Sequence, residues 1–151
     1  MDRLQQRNHT CLTRITALLL VAVCTAACSP TISLFNERAY EQAVTLKVRS
    51  LELVAATNEP FEAHAEAVLA LRRDLAIARE FAAGLPSNEI TTAQWDLLLD
   101  PDGHLLIGFL DRWEEQGAQS DVFVREMSRL IAEAFDTIIG LESGKLKPSD
   151  L

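Results

Sequence analysis

Between Pro60 and Leu85 the apolar residues form two interleaved heptad series. Phe61, Val68, Leu75 and Ala82 recur every seven residues, and His64, Leu71, Ala78 and Leu85 repeat the interval offset by three. Spacing of that kind lays a continuous stripe along one side of a helix and demands a facing stripe on other helices. No strand-like alternation of useful length competes with it anywhere in the chain. The feature therefore commits the chain to a helical bundle.

The remaining segments supply the facing stripes. A first helix is expected from about Ser33 to Thr57, capped by Thr31 or Ser33. Its core stripe is Phe35, Ala39, Ala43, Leu46 and Leu53, with Tyr40, Val44, Val48, Leu51 and Ala55 beside it. Asn58-Glu59-Pro60 breaks it, and Pro60 suits the first turn of the second helix. Gly84 stops that helix, and Leu85-Pro86-Ser87-Asn88 connects to a third. Thr91 and Gln94 have the spacing of a capping box for its start. Asp100-Pro101-Asp102-Gly103 reads as a turn, with Pro presetting φ and Gly accepting positive φ. A short helix from His104 to Gln116 follows. Ser120 caps the last one, which runs to about Glu142 on Phe123, Met127, Leu130, Ala134 and Leu141, widened by Ile131, Phe135 and Ile138. The expected fold is all-α: a small antiparallel bundle of three long helices plus a fourth element broken around Asp100–Gly103. The bundle spans 33–144, and 145–151 is a polar tail.

The N-terminal segment follows a different logic. Arg3, Arg7 and Arg14 stand against one acid, Asp2, and Ile15 to Ala27 is an uncharged run of thirteen residues. A membrane-spanning helix needs about 20. A basic start, a short apolar stretch and small residues at its end have the form of a secretory signal peptide. The run closes on Thr25-Ala26-Ala27-Cys28, which resembles the lipobox of bacterial lipoproteins, with Thr25 where that family favours Leu. The resemblance implies a signal peptide over 1–27, removal after Ala27, and a diacylglycerol on the Cys28 thiol followed by acylation of the new amino group. On the residues alone, two other readings stay open: a secreted protein with Cys28 as a free thiol, and an uncleaved anchor. All three cysteines lie at or before position 28, so in the lipoprotein reading no unmodified thiol remains. Ser29 follows the Cys where the family uses Asp for inner-membrane retention. That implies the outer membrane of a Gram-negative host, with the domain facing the periplasm from the inner leaflet. Residues 28–32 form a short lipidated tether of roughly 15–20 Å, and several acyl chains hold where one would not.

Charge excludes two partner classes. The whole chain has 14 basic and 22 acidic residues. Beyond the first 27 residues the balance is 11 basic to 21 acidic, a net −10. A surface so acidic opposes nucleic acid and opposes a polybasic grip on anionic lipid.

Chemistry-bearing constellations are sparse. His64 falls on the apolar seam of the second helix, where a hydrogen-bonded core histidine is the ordinary reading and a ligand the special one. Pairing it with Met127 on a haem lacks an attachment motif. Asp100 and Asp102 as part of a calcium loop would put Leu98 and Phe109 at positions that need oxygen donors. His64 and His104 are too far apart in sequence for a zinc motif. Glu114-Glu115, like Glu62 and Glu66, reads as helix-surface charge. No cofactor and no enzymatic activity are expected. Trp95 and Trp113 flank the Asp100–Gly103 turn, and two readings compete: they close the bundle, or with Asp102 they form a contact patch for a membrane-proximal, basic protein partner. The expected role is a non-enzymatic interaction or structural accessory protein of the cell envelope. The alternative is a bundle that carries a small apolar ligand. Replacing Cys28 by Ser is expected to abolish incorporation of labelled fatty acid and release the chain from membranes. A Ser variant that still takes up palmitate and matures normally contradicts the anchor.

Overall fold

α1 begins at Glu37, because the side chain of Asn36 accepts a hydrogen bond from the Ala39 N–H at 3.1 Å and so caps it. The computed structural model describes residues 34–151. The lipobox, Cys28 and the proposed caps Thr31 and Ser33 lie outside them. α1 runs Glu37–Ala55, α2 Ala65–Ala83, α3 Glu89–Leu99, α4 Leu106–Gln116 and α5 Asp121–Glu142, with 3-10 turns at Phe61–Ala63 and Pro148–Asp150. The fold is an all-helical bundle, with no strand among the described residues.

α1 packs on α2 and α5, and α3 packs on the same two, so four helices close a ring. α4 continues the side begun by α3 and contacts α3 and α5. Cross-helix contacts fix the directions. Arg38 lies over the Phe81 ring at 5.0 Å while Arg49 bonds Asp74 at 2.5 Å, so α1 and α2 run antiparallel. Arg79 to Asp96 with Ala82 to Asn88 does the same for α2 and α3, and Trp95 to Phe135 with Asn88 to Glu142 for α3 and α5. These ion pairs are partly exposed, and such pairs align helices more than they stabilise them. The core supplies the stability through Val54, Leu71, Leu75, Leu98, Leu110, Ile131, Phe135 and Ile138, each fully buried. Each aliphatic side chain so buried contributes about 1.5–3 kcal/mol.

The α2 seam matches its heptads: Val68, Leu71, Leu75, Ala78 and Ala82 are all buried. The first helix differs from expectation. Its buried line is Ala39, Ala43, Leu46, Ser50 and Val54, while Phe35 and Val48 are exposed and Leu53 only half-buried. Spacings of four, three, four and four follow the 3.6-residue turn through Ser50, a position that a purely apolar search passes over. α5 likewise buries Val124 in place of Phe123 and leaves Leu130 and Ala134 on the flank. The second helix does not start at Pro60. A 3-10 turn intervenes, His64 leaves helical geometry at φ −121° and ψ 0°, and the α-helix begins at Ala65. The Gly144 that ends α5 adopts φ 68°, which frees the chain to fold back. The Lys145 and Leu146 N–H groups both donate to the Gly140 carbonyl at 3.0 Å, so Leu146 is half-buried against the helix end. The start of the tail is therefore a cap.

The third helix begins three residues earlier than the Thr91–Gln94 pattern predicts, with Asn88 at the N-cap position. The Asn88 side chain makes no capping bond. Its Nδ2 donates to the Ala82 carbonyl at 3.0 Å and to Glu142 Oε1 at 3.1 Å, joining the ends of α2, α3 and α5. Thr91 is buried inside the helix, and neither its hydroxyl nor Asn88 Oδ1 has a hydrogen-bond partner among the described residues. Glu142 is 4% exposed. Burial raises its carboxyl above the ordinary glutamate range, and the Asn88 bond offsets part of that rise. A carboxyl with a raised folded-state pKa contributes stability at low pH that is lost as pH climbs from the unfolded value, about 4.5, through the folded one. Glu142→Gln, shaped like the neutral acid, is expected to lose less stability than the parent over that window and to be at least as stable at pH 7. Melting curves of both chains from pH 4 to 8 test this, and identical pH slopes contradict it.

Candidate functional site

The broken fourth side is built around two buried indoles. Trp113 is fully buried, and its Nε1–H donates to the Glu59 carbonyl at 2.9 Å. Phe61 meets it edge-on at 5.2 Å between ring centroids, and His64 lies 5.5 Å away. Nearby, the Gln119 N–H donates to the Thr57 carbonyl at 2.7 Å. The Thr57–Pro60 break between α1 and α2 is thus fastened to the end of α4 and the start of α5. Trp95 is 2% exposed and meets Phe135 edge-on at 5.9 Å. Both indoles belong to the core. The reading in which they form an exposed contact patch with Asp102 is corrected here: each tryptophan sits on the inward line of its helix, so burial won over display.

Asp102 does lie on the surface, in the turn as expected. Its N–H donates to Asp100 Oδ1 at 3.0 Å, and the Gly103 N–H donates to the Asp100 carbonyl at 3.1 Å. Gly103 does not use positive φ. The glycine that matters is Gly108, on the first turn of α4. A Cβ there would stand 2.0 Å from the Gly103 carbonyl oxygen, so only glycine lets the Asp100–Gly103 turn rest against α4.

That close approach shapes a surface concavity beside the turn. An open groove of about 620 Å3 runs between the turn, α4 and α5. Phe109, Phe123, Met127 and Leu130 form its apolar floor, and Asp102, His104, Arg112 and Glu115 stand among its polar lining residues. Phe109 and Phe123 meet at 69° with centroids 5.4 Å apart. The Arg112 guanidinium covers Phe123 at 5.1 Å and donates through Nε to Gln119 Oε1 at 3.2 Å. Asp111 is held by Arg72 of α2 at 2.5 Å. Asp111 is therefore engaged within the bundle, while Asp102, His104, Arg112 and Glu115 are exposed at the groove's edge, Arg112 with its Nε–H given to Gln119. The sequence signal for this groove was weak: Phe109 and Met127 read as core, and only the turn itself marked the place.

His64 has a structural occupation. Its Nε2 lies 2.8 Å from Glu59 Oε2, on the outer side of the break that Trp113 fastens. Among the described residues, no three His, Cys, Asp or Glu side chains stand together as a metal site would require. No helix among them is long and apolar enough to cross a membrane. Comparison with protein-family models, curated proteins and solved structures returns no match.

Proposed function

We propose that the chain is a lipid-anchored accessory protein of the bacterial cell envelope. In this reading it is held to the inner leaflet of the outer membrane through Cys28 and engages a basic protein partner with the groove beside the Asp100–Gly103 turn. The observation that carries the partner is the groove itself: an apolar floor opening to solvent, with Asp102 and Glu115 exposed at its edge beside Arg112 and His104. Loops between packed helices are where binding groups are displayed. Charged rims steer and select partners more than they tighten them, and a net charge of −10 over the last 124 residues favours a basic partner at long range. The lipobox residues support the anchor. α1 starts nine residues after Cys28, a reach of at most about 30 Å, so the partner is membrane-proximal.

The carrier alternative draws on the same groove, whose volume falls in the range of about 300–1,000 Å3 typical for small ligands. An apolar guest needs most of its surface enclosed. A groove open along one side, with charge at its edge, supports the protein partner instead. The test is crosslinked recovery of partners from native membranes for the parent and for Asp102→Lys combined with Glu115→Lys. Both residues are exposed, so the melting temperature is expected to hold while recovery falls by roughly tenfold or more. A charge-reversed groove that recovers the same partners at parental yield places the functional surface elsewhere.

A further inference from the structure

The outward face of α2 departs from the other long helices. Its exposed residues are Glu66, Ala67, Leu69, Arg73, Ala76, Ile77, Glu80 and Ala83, of which five are apolar. On α5 the only apolar exposed residue is Val122, and on α1 only Val48 and Ala55. Leu69 is 70% and Ile77 51% exposed. Leu69 and Ile77 are the large apolar side chains left in water on this helix, and apolar side chains exposed beside a row of charges have the make-up of an interaction surface. None of the groove-lining residues lies on this helix, so the face is separate from the proposed partner site.

The charges on the face indicate what covers it. Glu66, Arg73 and Glu80 recur every seven residues along its middle, flanked by Leu69 and Ala76 on one side and Ala70 and Ile77 on the other. The Arg73 and Glu80 side chains are each 74% exposed. The row is self-complementary in antiparallel order. With a two-fold axis between Ala76 and Ile77, each residue i faces residue 153 − i, so Arg73 meets Glu80 of the second copy, and Glu80 meets its Arg73. Ala76 then faces Ile77, Ala70 faces Ala83, and Leu69 lies over the second copy's Gly84, where no side chain obstructs it. Residues 70–83 of the two helices overlap. An axis at Arg73 would set arginine on arginine and Glu66 on Glu80. An axis between Leu69 and Ala70 pairs Glu66 with Arg73 but overlaps only residues 65–74.

We propose that the outward face of α2 is a self-association surface, on which a second copy of this chain packs its own α2 antiparallel about a two-fold axis between Ala76 and Ile77. An isologous contact of this kind repeats every interaction twice, so a single substitution acts at two places. The test is sedimentation velocity of the full chain in mild detergent over a concentration series, with far-UV dichroism as the control for helicity. The parent is expected to show a monomer–dimer equilibrium. Arg73→Glu and Glu80→Arg, each creating like-charge contacts, are expected to weaken it by roughly tenfold or more, and the two together to restore it. Ile77→Asp is expected to abolish dimerisation with helicity unchanged, and Glu66→Arg to leave it intact. A parent that stays monomeric at every concentration overturns the proposal. So does a dimer indifferent to the single charge reversals, or one that the double reversal fails to rescue.

Discussion

The hydrogen bond from Trp113 Nε1 to the Glu59 carbonyl, 2.9 Å long in a site with no solvent exposure of the indole, is the constraint on which one end of this bundle depends. The helices α1 and α2 must reverse direction at Asn58-Glu59-Pro60, and Pro60 has no N–H to share in the turn. The indole takes up a carbonyl that the break leaves over, and the neighbouring Thr57 carbonyl is taken up by the Gln119 N–H. Buried aromatic side chains remove about 150–250 Å2 each from water, about 4–6 kcal/mol apiece as an upper bound. Trp95 fills the same role along α3 against Phe135. The opposite end is joined by a polar device, Asn88 between the Ala82 carbonyl and the Glu142 carboxyl. One end is therefore closed mainly by apolar area and the other by hydrogen bonds to a buried acid.

Fixing α4 in this way has a consequence on the surface. α4 and the turn before it are pressed together at Gly108, and α5 passes beside them. The space left between the three is the groove, so its floor is made of residues whose other sides are core. A groove floored by packed aromatics is built before anything binds, and preorganisation of that kind lowers the ordering cost of the proposed contact. The exposed α2 face lies on a different helix, so the proposed self-association and the proposed partner contact use separate surfaces.

Much of this was legible in the amino-acid order. The heptads of Val68, Leu71, Leu75, Ala78 and Ala82 give the inner face of α2 because nothing else satisfies that spacing. Ser120, Gly117, Ser143 and Gly144 give the ends of α4 and α5 because their caps are local. The start of α3 was misplaced for a physical reason. Thr91 and Gln94 have capping-box spacing, yet Asn88 takes the N-cap position while its side chain is used in tertiary bonds that no local pattern contains. The direction in which Trp95 and Trp113 point was equally open, since a tryptophan beside a turn serves a core or a contact with the same local sequence. The groove was illegible because it exists only once three segments are juxtaposed. The outer face of α2 was partly hidden by alanine, which fits a core and a surface alike.

The broken fourth side of the bundle requires both indoles to be interior. They are the chain's only tryptophans, so the intrinsic fluorescence of the full chain reports on this element alone. The structure predicts emission well to the blue of indole in water, with little quenching by acrylamide, unchanged when the groove is charge-reversed. Emission at the position of solvent-exposed tryptophan, readily quenched in a chain that remains fully helical, would contradict it.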